Sequence, residues 1–291
     1  MGSAWVFPGQ GSQKVGMAAA VLDVPDARER FESASALLGR DLLAICAGEG
    51  DLNDTRNTQP ALFVLESLLV DGLKAQGRSA QLVAGHSAGE LVALYAAGVF
   101  DADTGLQLIK TRSELMAAAG GGAMTAVMGF DRAQLDELVA ATDGVVIAND
   151  NSDAQVVISG SPEAVAAVSG QLTCKRAIPL AVSGAFHSPF MAEAAAAFAQ
   201  VLESVAFVDA QIPVLSNTDP TPETSAAALK TRLTKQMTTG VRWRETMQRL
   251  EAEGIATAVE IGPGNVLSGL IKRSCPGIST AQIASAADLG L

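Results

Sequence analysis

An apolar run, Gln81-Leu82-Val83-Ala84-Gly85, ends in Gly85-His86-Ser87-Ala88-Gly89 and passes without a spacer into Glu90-Leu91-Val92-Ala93-Leu94. A strand, a glycine-flanked turn and a helix in immediate succession belong to a chain whose helices lie on a mainly parallel sheet, because the helix must fold back over the strand that feeds it. The helix is expected over Ser87 to Ala97. A similar junction opens the chain, where Ala4 to Phe7 reads as a buried strand running into Pro8-Gly9-Gln10-Gly11-Ser12. Another closes it, with the strand Thr257 to Ile261, the turn Gly262-Pro263-Gly264 and a helix from Asn265. Pro60 sits where a first helical residue belongs, so Ala61 to Leu73, apolar nearly all round, is expected as a buried helix. The 4% aromatic content fits helices on a sheet better than an all-β fold.

The rhythm changes after Gly120-Gly121-Gly122. Ala123 to Phe130 reads as a strand and Arg132 to Ala141 as a helix. Val145 to Ala148 and Gln155 to Ser159 follow as strands joined by the polar turn Asn149 to Asp153. Pro162 then opens a helix, and Ala177 to Val182 is the last strand. The order βαββαβ is the ferredoxin-like split βαβ arrangement. The expected organisation is an α/β core built from residues 1–121 and 181–291, with a small ferredoxin-like domain inserted at 122–180.

A net charge of −11 disfavours nucleic acid as a partner. Neither Gly9-Gln10-Gly11-Ser12-Gln13-Lys14 nor Gly262-Pro263-Gly264-Asn265-Val266-Leu267 carries the third glycine of a dinucleotide fingerprint, and no phosphate-binding G-x-x-x-x-G-K-[ST] occurs. With two histidines and three scattered cysteines, Cys46, Cys174 and Cys275, no metal centre is expected. The cysteines read as reduced thiols of a cytoplasmic protein. No basic leader precedes the first apolar patch, and Glu66, His86, Ser87 and Glu90 interrupt the longest apolar stretches, so neither a secretory signal nor a membrane span is expected. Cofactor-free acyl transfer or hydrolysis is the chemistry left.

Gly85-His86-Ser87-Ala88-Gly89 matches G-x-S-x-G between strand and helix. The glycines permit a turn that lifts the Ser87 hydroxyl out of the sheet, and the next N–H, that of Ala88, faces any oxyanion formed there. Ser87-Ala88-Gly89-Glu90 is equally a helix-capping box, and the residues alone leave both readings open. A serine nucleophile needs a base. His86 adjoins Ser87 and leaves the turn in another direction, so His187, in Gly184-Ala185-Phe186-His187-Ser188-Pro189, is the one remaining imidazole.

These segments together resemble the malonyl-CoA:acyl carrier protein transacylases of fatty acid and polyketide synthesis, across essentially the whole chain. The resemblance rests on Phe7-Pro8-Gly9-Gln10-Gly11-Ser12-Gln13, Thr58-Gln59-Pro60-Ala61, Gly85-His86-Ser87-Ala88-Gly89-Glu90, the Arg112 segment, Asn149-Asp150-Asn151-Ser152, Phe186-His187-Ser188-Pro189 and Gly262-Pro263-Gly264, all in the family's order. It implies a hydrolase-like α/β core with an inserted ferredoxin-like domain. It further implies Ser87 as the acylated nucleophile, His187 as its base, the N–H groups of Gln10 and Ala88 as oxyanion hole, and Arg112 as anchor for the substrate carboxylate. The carbonyl of Gln236, in Gln236-Met237-Thr238-Thr239-Gly240-Val241-Arg242-Trp243, would orient the histidine. A planar guanidinium suits malonyl because it pairs with a carboxylate through two parallel hydrogen bonds, which acetyl lacks. Read alone, Arg112 would be an exposed helical residue.

Phe186 before the histidine either crowds a branched acyl group or packs the core. Gln59, Asn149 and Asn151 either line the pocket or serve turns and caps. The chain departs from the family's commonest pattern in having Ala88 for Leu, Gly240 for Pro, and Ala117-Ala118-Ala119 for a more polar stretch. The implied partner is an acidic acyl carrier protein. The run Lys230, Arg232, Lys235, Arg242, Arg244 and Arg249 offers it a cationic face, with Lys235, Arg242 and Arg244 as the docking residues, or is a solvated helix face. A monomer is expected. A serine thioesterase using the same two residues is the rival; a late histidine with few residues after it would have favoured that reading.

Overall fold

The computed structural model describes residues 2–182 and 184–291. Five parallel strands form the main sheet: β1 (Gly2–Phe7), β2 (Leu82–Gly85), β7 (Val214–Leu215), β8 (Ile255–Ile261) and β9 (Ser279–Ile283), in the order β7-β2-β1-β8-β9. Four antiparallel strands form a second sheet: β3 (Ala123–Phe130), β4 (Val145–Ser152), β5 (Gln155–Gly160) and β6 (Cys174–Pro179), in the order β4-β5-β3-β6. Helices Arg132–Ala141 and Pro162–Gln171 connect its strands, so the chain runs βαββαβ as the sequence implies. The fold class is the expected one, an α/β sheet with a separate antiparallel layer.

The main sheet is apolar on both faces, as parallel strands covered by helices must be. Trp5, Phe7 and Val83 pack into a core with the helix Thr55–Ala75, while Ala4, Val6, Leu82 and Ala84 face Trp243, Leu250 and Leu270 on the other side. Phe7 pairs with Gly85 at the ends of β1 and β2. The Pro8–Gly11 turn and the Ser87 turn therefore leave the sheet side by side, at the carboxyl edge where open α/β sheets place their sites.

Four local expectations are corrected. The helix expected to open at Pro60 begins at Thr55, with Asp54 as cap accepting from Arg56 N at 2.9 Å. A proline inside a helix deprives the carbonyl four residues earlier of its donor, and here Arg40 Nη2 supplies one to Arg56 O at 2.7 Å. The polar stretch Asn149 to Ser152 is not a turn but the end of β4, whose irregular register accommodates it and whose outer side bridges Val241. The last strand is Cys174–Pro179 rather than Ala177 to Val182, because its register on β3 runs from Phe130↔Cys174 to Thr125↔Pro179. The helix after β2 starts at Gly89, leaving Ser87 and Ala88 in the turn.

Glu66 stands in the core within the helix Thr55–Ala75, and neither of its carboxyl oxygens has a hydrogen-bond partner among the described residues. Burial, reinforced by the nearby carboxylate of Glu260, holds its carboxyl well above the usual range. The unfolded chain releases this proton at the ordinary carboxylate pKa and the folded chain keeps it to higher pH. The group therefore favours folding below the unfolded value, and that stability is lost as pH rises toward the folded one, on the order of 1 kcal/mol per pH unit. Glu66→Met, similar in reach and without polar atoms, is expected to raise unfolding free energy by roughly 1–3 kcal/mol at pH 8 and by little at pH 5. Urea melts at the two pH values measure this; a gain no larger at pH 8 than at pH 5 would contradict it.

Candidate active site

β2 ends at Gly85, and the chain reverses through His86, Ser87 and Ala88 into the helix Gly89–Ala96. A Cβ on Gly85 would overlap the Gly89 carbonyl and one on Gly89 would overlap Phe7 O, so the packing of this turn requires both glycines. Ser87 itself sits at φ 53°, in the left-handed region that a side chain adopts only when its surroundings enforce it. Here they do. Asn217 accepts from Ser87 N at 2.7 Å and donates from Nδ2 to Gly85 O at 2.6 Å, while Gln236 Nε2 donates to Ser87 O at 3.0 Å. Ser87 is thus part of the turn and not a helix cap.

The hydroxyl so presented meets His187. Ser87 Oγ lies 2.8 Å from His187 Nε2, and His187 Nδ1 lies 2.9 Å from the carbonyl of Gln236. A carbonyl only accepts, so Nδ1 carries the proton, Nε2 is a free base, and Ser87 donates to it. His187 is 2% exposed. Burial, and then the positive charge of Arg112, push its pKa down to about 3, which keeps the imidazole neutral and able to take a proton throughout the ordinary pH range. Its backbone, at φ 56°, is a second left-handed position in the same site.

Arg112 is not an exposed helical residue. It projects from the helix Ala102–Ala118 and is fully buried, with Nη2 3.2 Å from Ser87 Oγ, Nη1 2.6 Å from Gln59 Oε1, and both Nε and Nη2 on Gln236 Oε1 at 3.2 and 2.8 Å. Burial lowers its pKa to about 10, against the opposing pull of Glu90, so it remains a cation at neutral pH. A neutral base and a buried cation thus flank one hydroxyl. Such a group can be deprotonated beside a site that attracts negative charge.

Gln10 is in the turn after β1, where its Oε1 accepts from Thr55 Oγ1 at 2.7 Å. That turn lies on the Ser87 turn: His86 N donates to Phe7 O at 2.9 Å, and a Cβ placed on Gly9 would stand 3.6 Å from Ala88 N. The N–H groups of Gln10 and Ala88 have no backbone partner among the described residues. Gly240, the departure beside the Gln236 segment, proves an adaptation. A Cβ there would come within 2.6 Å of Ile147 O, and the loop is held to β4 by Val241 N on Ala148 O at 2.8 Å and Asp150 N on Val241 O at 2.9 Å. Ala117 and Ala118, another departure, line a cleft of about 770 Å³ that reaches Gln10 and Thr55, and larger side chains would narrow it.

A family model described as acyl transferase domain matches residues 4–290. The chain belongs to the acyl transferase domain family. A malonyl CoA-acyl carrier protein transacylase of Synechocystis sp. is 51% identical over 290 residues, 99% of each chain. The crystal structure of a malonyl-CoA:ACP transacylase of Synechocystis sp. superposes with a TM-score of 0.96 at 50% identity, covering 100% of this chain and 99% of that one. A malonyl-transacylase solved in complex with its type II PKS acyl-carrier protein has a TM-score of 0.92 at 38% identity, over 99% and 98% of the two chains.

Several residues of this acyl transferase take places the sequence does not reveal. Asn151 binds His86 Nε2 at 2.8 Å, tying the Ser87 turn to the antiparallel sheet, while Asn149 Oδ1 is buried without a partner among the described residues. Phe186 packs in the main core beside Met191 and makes no polar contact in the site. The basic run is not a bare cationic face: Arg242 pairs with Glu245, Arg244 with Asp150, Arg232 with Asp219 and Arg249 with Glu253, whereas Lys235 is exposed and has no ion-pair partner among the described residues. Asn217, Glu90 and the side chain of Gln236 are missed entirely by sequence reasoning. The signal for Asn217 is a polar residue directly after the buried Val214-Leu215-Ser216; Glu90 lies in plain view in the motif but reads there as a cap.

Proposed function

We propose that this acyl transferase moves the malonyl group of malonyl-CoA to the phosphopantetheine thiol of an acyl carrier protein through a malonyl-Ser87 intermediate. The observation that carries the reading is the position of Ser87 Oγ, 2.8 Å from His187 Nε2 and 3.2 Å from Arg112 Nη2. His187 takes the hydroxyl proton as Oγ attacks the thioester carbon. The resulting oxyanion is received by the N–H groups of Gln10 and Ala88; the C–S bond breaks, and His187 returns the proton to the CoA sulfur. The carrier thiol then gives its proton to His187, its sulfur attacks the ester, and Ser87 Oγ leaves and recovers the proton.

Malonyl carries its carboxylate two bonds beyond the reacting carbonyl, so a cation beside the nucleophile is within its reach. Arg112 supplies that cation, with Gln59 and Gln236 holding it. No step uses a metal or cofactor. The intact mass after incubation with malonyl-CoA tests the scheme: one malonyl group is gained and is absent from Ser87→Ala. Free malonate released as fast as CoA, without carrier, would assign the chain to the hydrolases instead.

Because burial has already pushed the His187 pKa to about 3, single-turnover acylation should be nearly flat from pH 7 to pH 5. A base with an ordinary imidazole pKa would lose roughly 25-fold over that interval, and such a loss would contradict this account. The acceptor we assign is a carrier of fatty acid synthesis. The type II PKS partner of one similar structure makes a polyketide carrier the alternative, and transfer rates to the two carriers decide between them. Docking is assigned to Lys235 with Arg242 and Arg244, whose partial neutralisation predicts a weak effect: charge reversal of the two arginines should raise the carrier KM about three- to tenfold and leave CoA release unchanged. An unaltered KM would remove the surface from consideration. Among the described residues no helix is long and apolar enough to cross a membrane, and all three cysteines are free thiols. A cytoplasmic monomer is our assignment, and light scattering tests the oligomeric state.

A further inference from the structure

We propose that Glu90 is a positioning residue that sets the preference for an acyl group ending in a carboxylate, by holding the Gln236 amide that in turn holds Arg112. Glu90 is 1% exposed, in the first turn of the helix Gly89–Ala96. Its side chain makes no hydrogen bond to Ser87, His187 or Arg112 among the described residues. Oε2 instead accepts from Gln236 Nε2 at 2.6 Å and from Asn217 N at 3.1 Å. One oxygen is therefore tied to both pieces of the scaffold: Asn217, which clamps the Ser87 turn, and Gln236, whose carbonyl orients His187 and whose side chain contacts Arg112.

The Gln236 amide has only one workable orientation. Its NH2 group donates to Glu90 and to Ser87 O, and its Oε1 accepts from Arg112 Nε and Nη2. Turned over, it would set oxygen against a carboxyl oxygen and NH2 against a guanidinium, two repulsive contacts in a dry interior. Glu90 thus decides which way Gln236 faces, and Gln236 decides where Arg112 points.

The indirectness matters for binding. Among the described residues Arg112 has no carboxylate in direct contact, and the bonds it makes to Gln59, Gln236 and Ser87 leave one Nη1 proton unclaimed. A carboxylate placed directly on the guanidinium would fill the edge that an incoming carboxylate must use, and binding would first have to break an ion pair. With Gln236 interposed, Glu90 offsets the cost of burying the cation from a distance and leaves one Nη1 proton for an incoming carboxylate, whose second hydrogen bond comes from Nη2 once it gives up Ser87 Oγ.

This inference rests on the reading of Arg112 as the carboxylate anchor, and the experiment separates the two. Single-turnover acylation by malonyl-CoA and by acetyl-CoA is measured for the parent chain, Arg112→Ala, Glu90→Gln and Glu90→Asp. Gln keeps the length and an acceptor oxygen and loses the charge; Asp keeps the charge and withdraws from Gln236 by one methylene. Glu90→Gln is expected to hold the malonyl-to-acetyl ratio within about twofold, and Glu90→Asp to lower it about tenfold through the malonyl rate. A merely structural role would lower both rates in step. An unchanged ratio in Glu90→Asp, or a loss in Glu90→Gln as large as in Glu90→Asp, overturns the proposal. If the parent has no malonyl preference, or Arg112→Ala keeps it, the reading of Arg112 fails; if Arg112→Ala loses it and Glu90→Asp does not, the role of Glu90 alone falls.

Discussion

His187→Ala is expected to acylate Ser87 about 10³ to 10⁴ times more slowly than the parent chain, because the one base within reach of the hydroxyl among the described residues has gone. The remaining groups do not replace it. Arg112 Nη2, 3.2 Å from Ser87 Oγ, is a donor and cannot accept a proton, and His86 is engaged with Asn151 on the far side of the turn. The oxyanion donors proposed above, the N–H groups of Gln10 and Ala88, are backbone groups and survive the change, so a residual rate above that in water is expected rather than none. Rapid quench followed by intact mass measures the acyl-enzyme directly. Acylation within threefold or so of the parent rate, about 0.7 kcal/mol in barrier, would mean that the imidazole has no part in the proton transfer.

Arg112→Ala is expected to slow malonyl acylation by about 10² to 10³ and to leave acetyl acylation within roughly tenfold, so that the preference for malonyl collapses. A buried charge pair about 4 Å apart contributes roughly 4 kcal/mol before desolvation at an effective dielectric near 20, which sets the upper end of that range. The acetyl rate serves as the internal control, since Arg112 also touches Ser87 and Gln236 and its removal disturbs both. Competition between the two thioesters in one tube, read as the mass ratio of malonylated to acetylated protein, avoids any correction for inactive protein. A ratio equal to the parent's would show that another group recognises the carboxylate.

Legibility followed the range of the interactions. The Ser87 turn was readable because its requirements are local: an apolar strand before it, a helix after it, and glycines where the turn's own backbone and the end of β1 leave no room for side chains. His187 was readable by scarcity, as one of two histidines. Pro60 misled because a proline in a helix is ordinarily disallowed, and the compensating donor, Arg40, stands in a different segment. Asn149 to Ser152 misled because polar residues suggest a turn when the loop that pairs with them, at Val241, is not yet known to be adjacent. The basic run looked like a cationic face because the carboxylates that pair with Arg232 and Arg244, at Asp219 and Asp150, lie outside it.

What the residues by themselves determined is the α/β class and the order of strands and helices, since periodicity and glycine sterics act over a few neighbouring positions; His187 was a candidate base because the chain has two histidines, and its contact with Ser87, 100 positions away, came from the tertiary structure. Tertiary structure alone decided that Arg112 is buried, that Gln236 holds it across 124 positions of chain, and that Glu90 and Asn217 brace the same turn. A side chain's charge, orientation and hydrogen-bond partner depend on what the folded chain brings opposite it, and no local pattern carries that information.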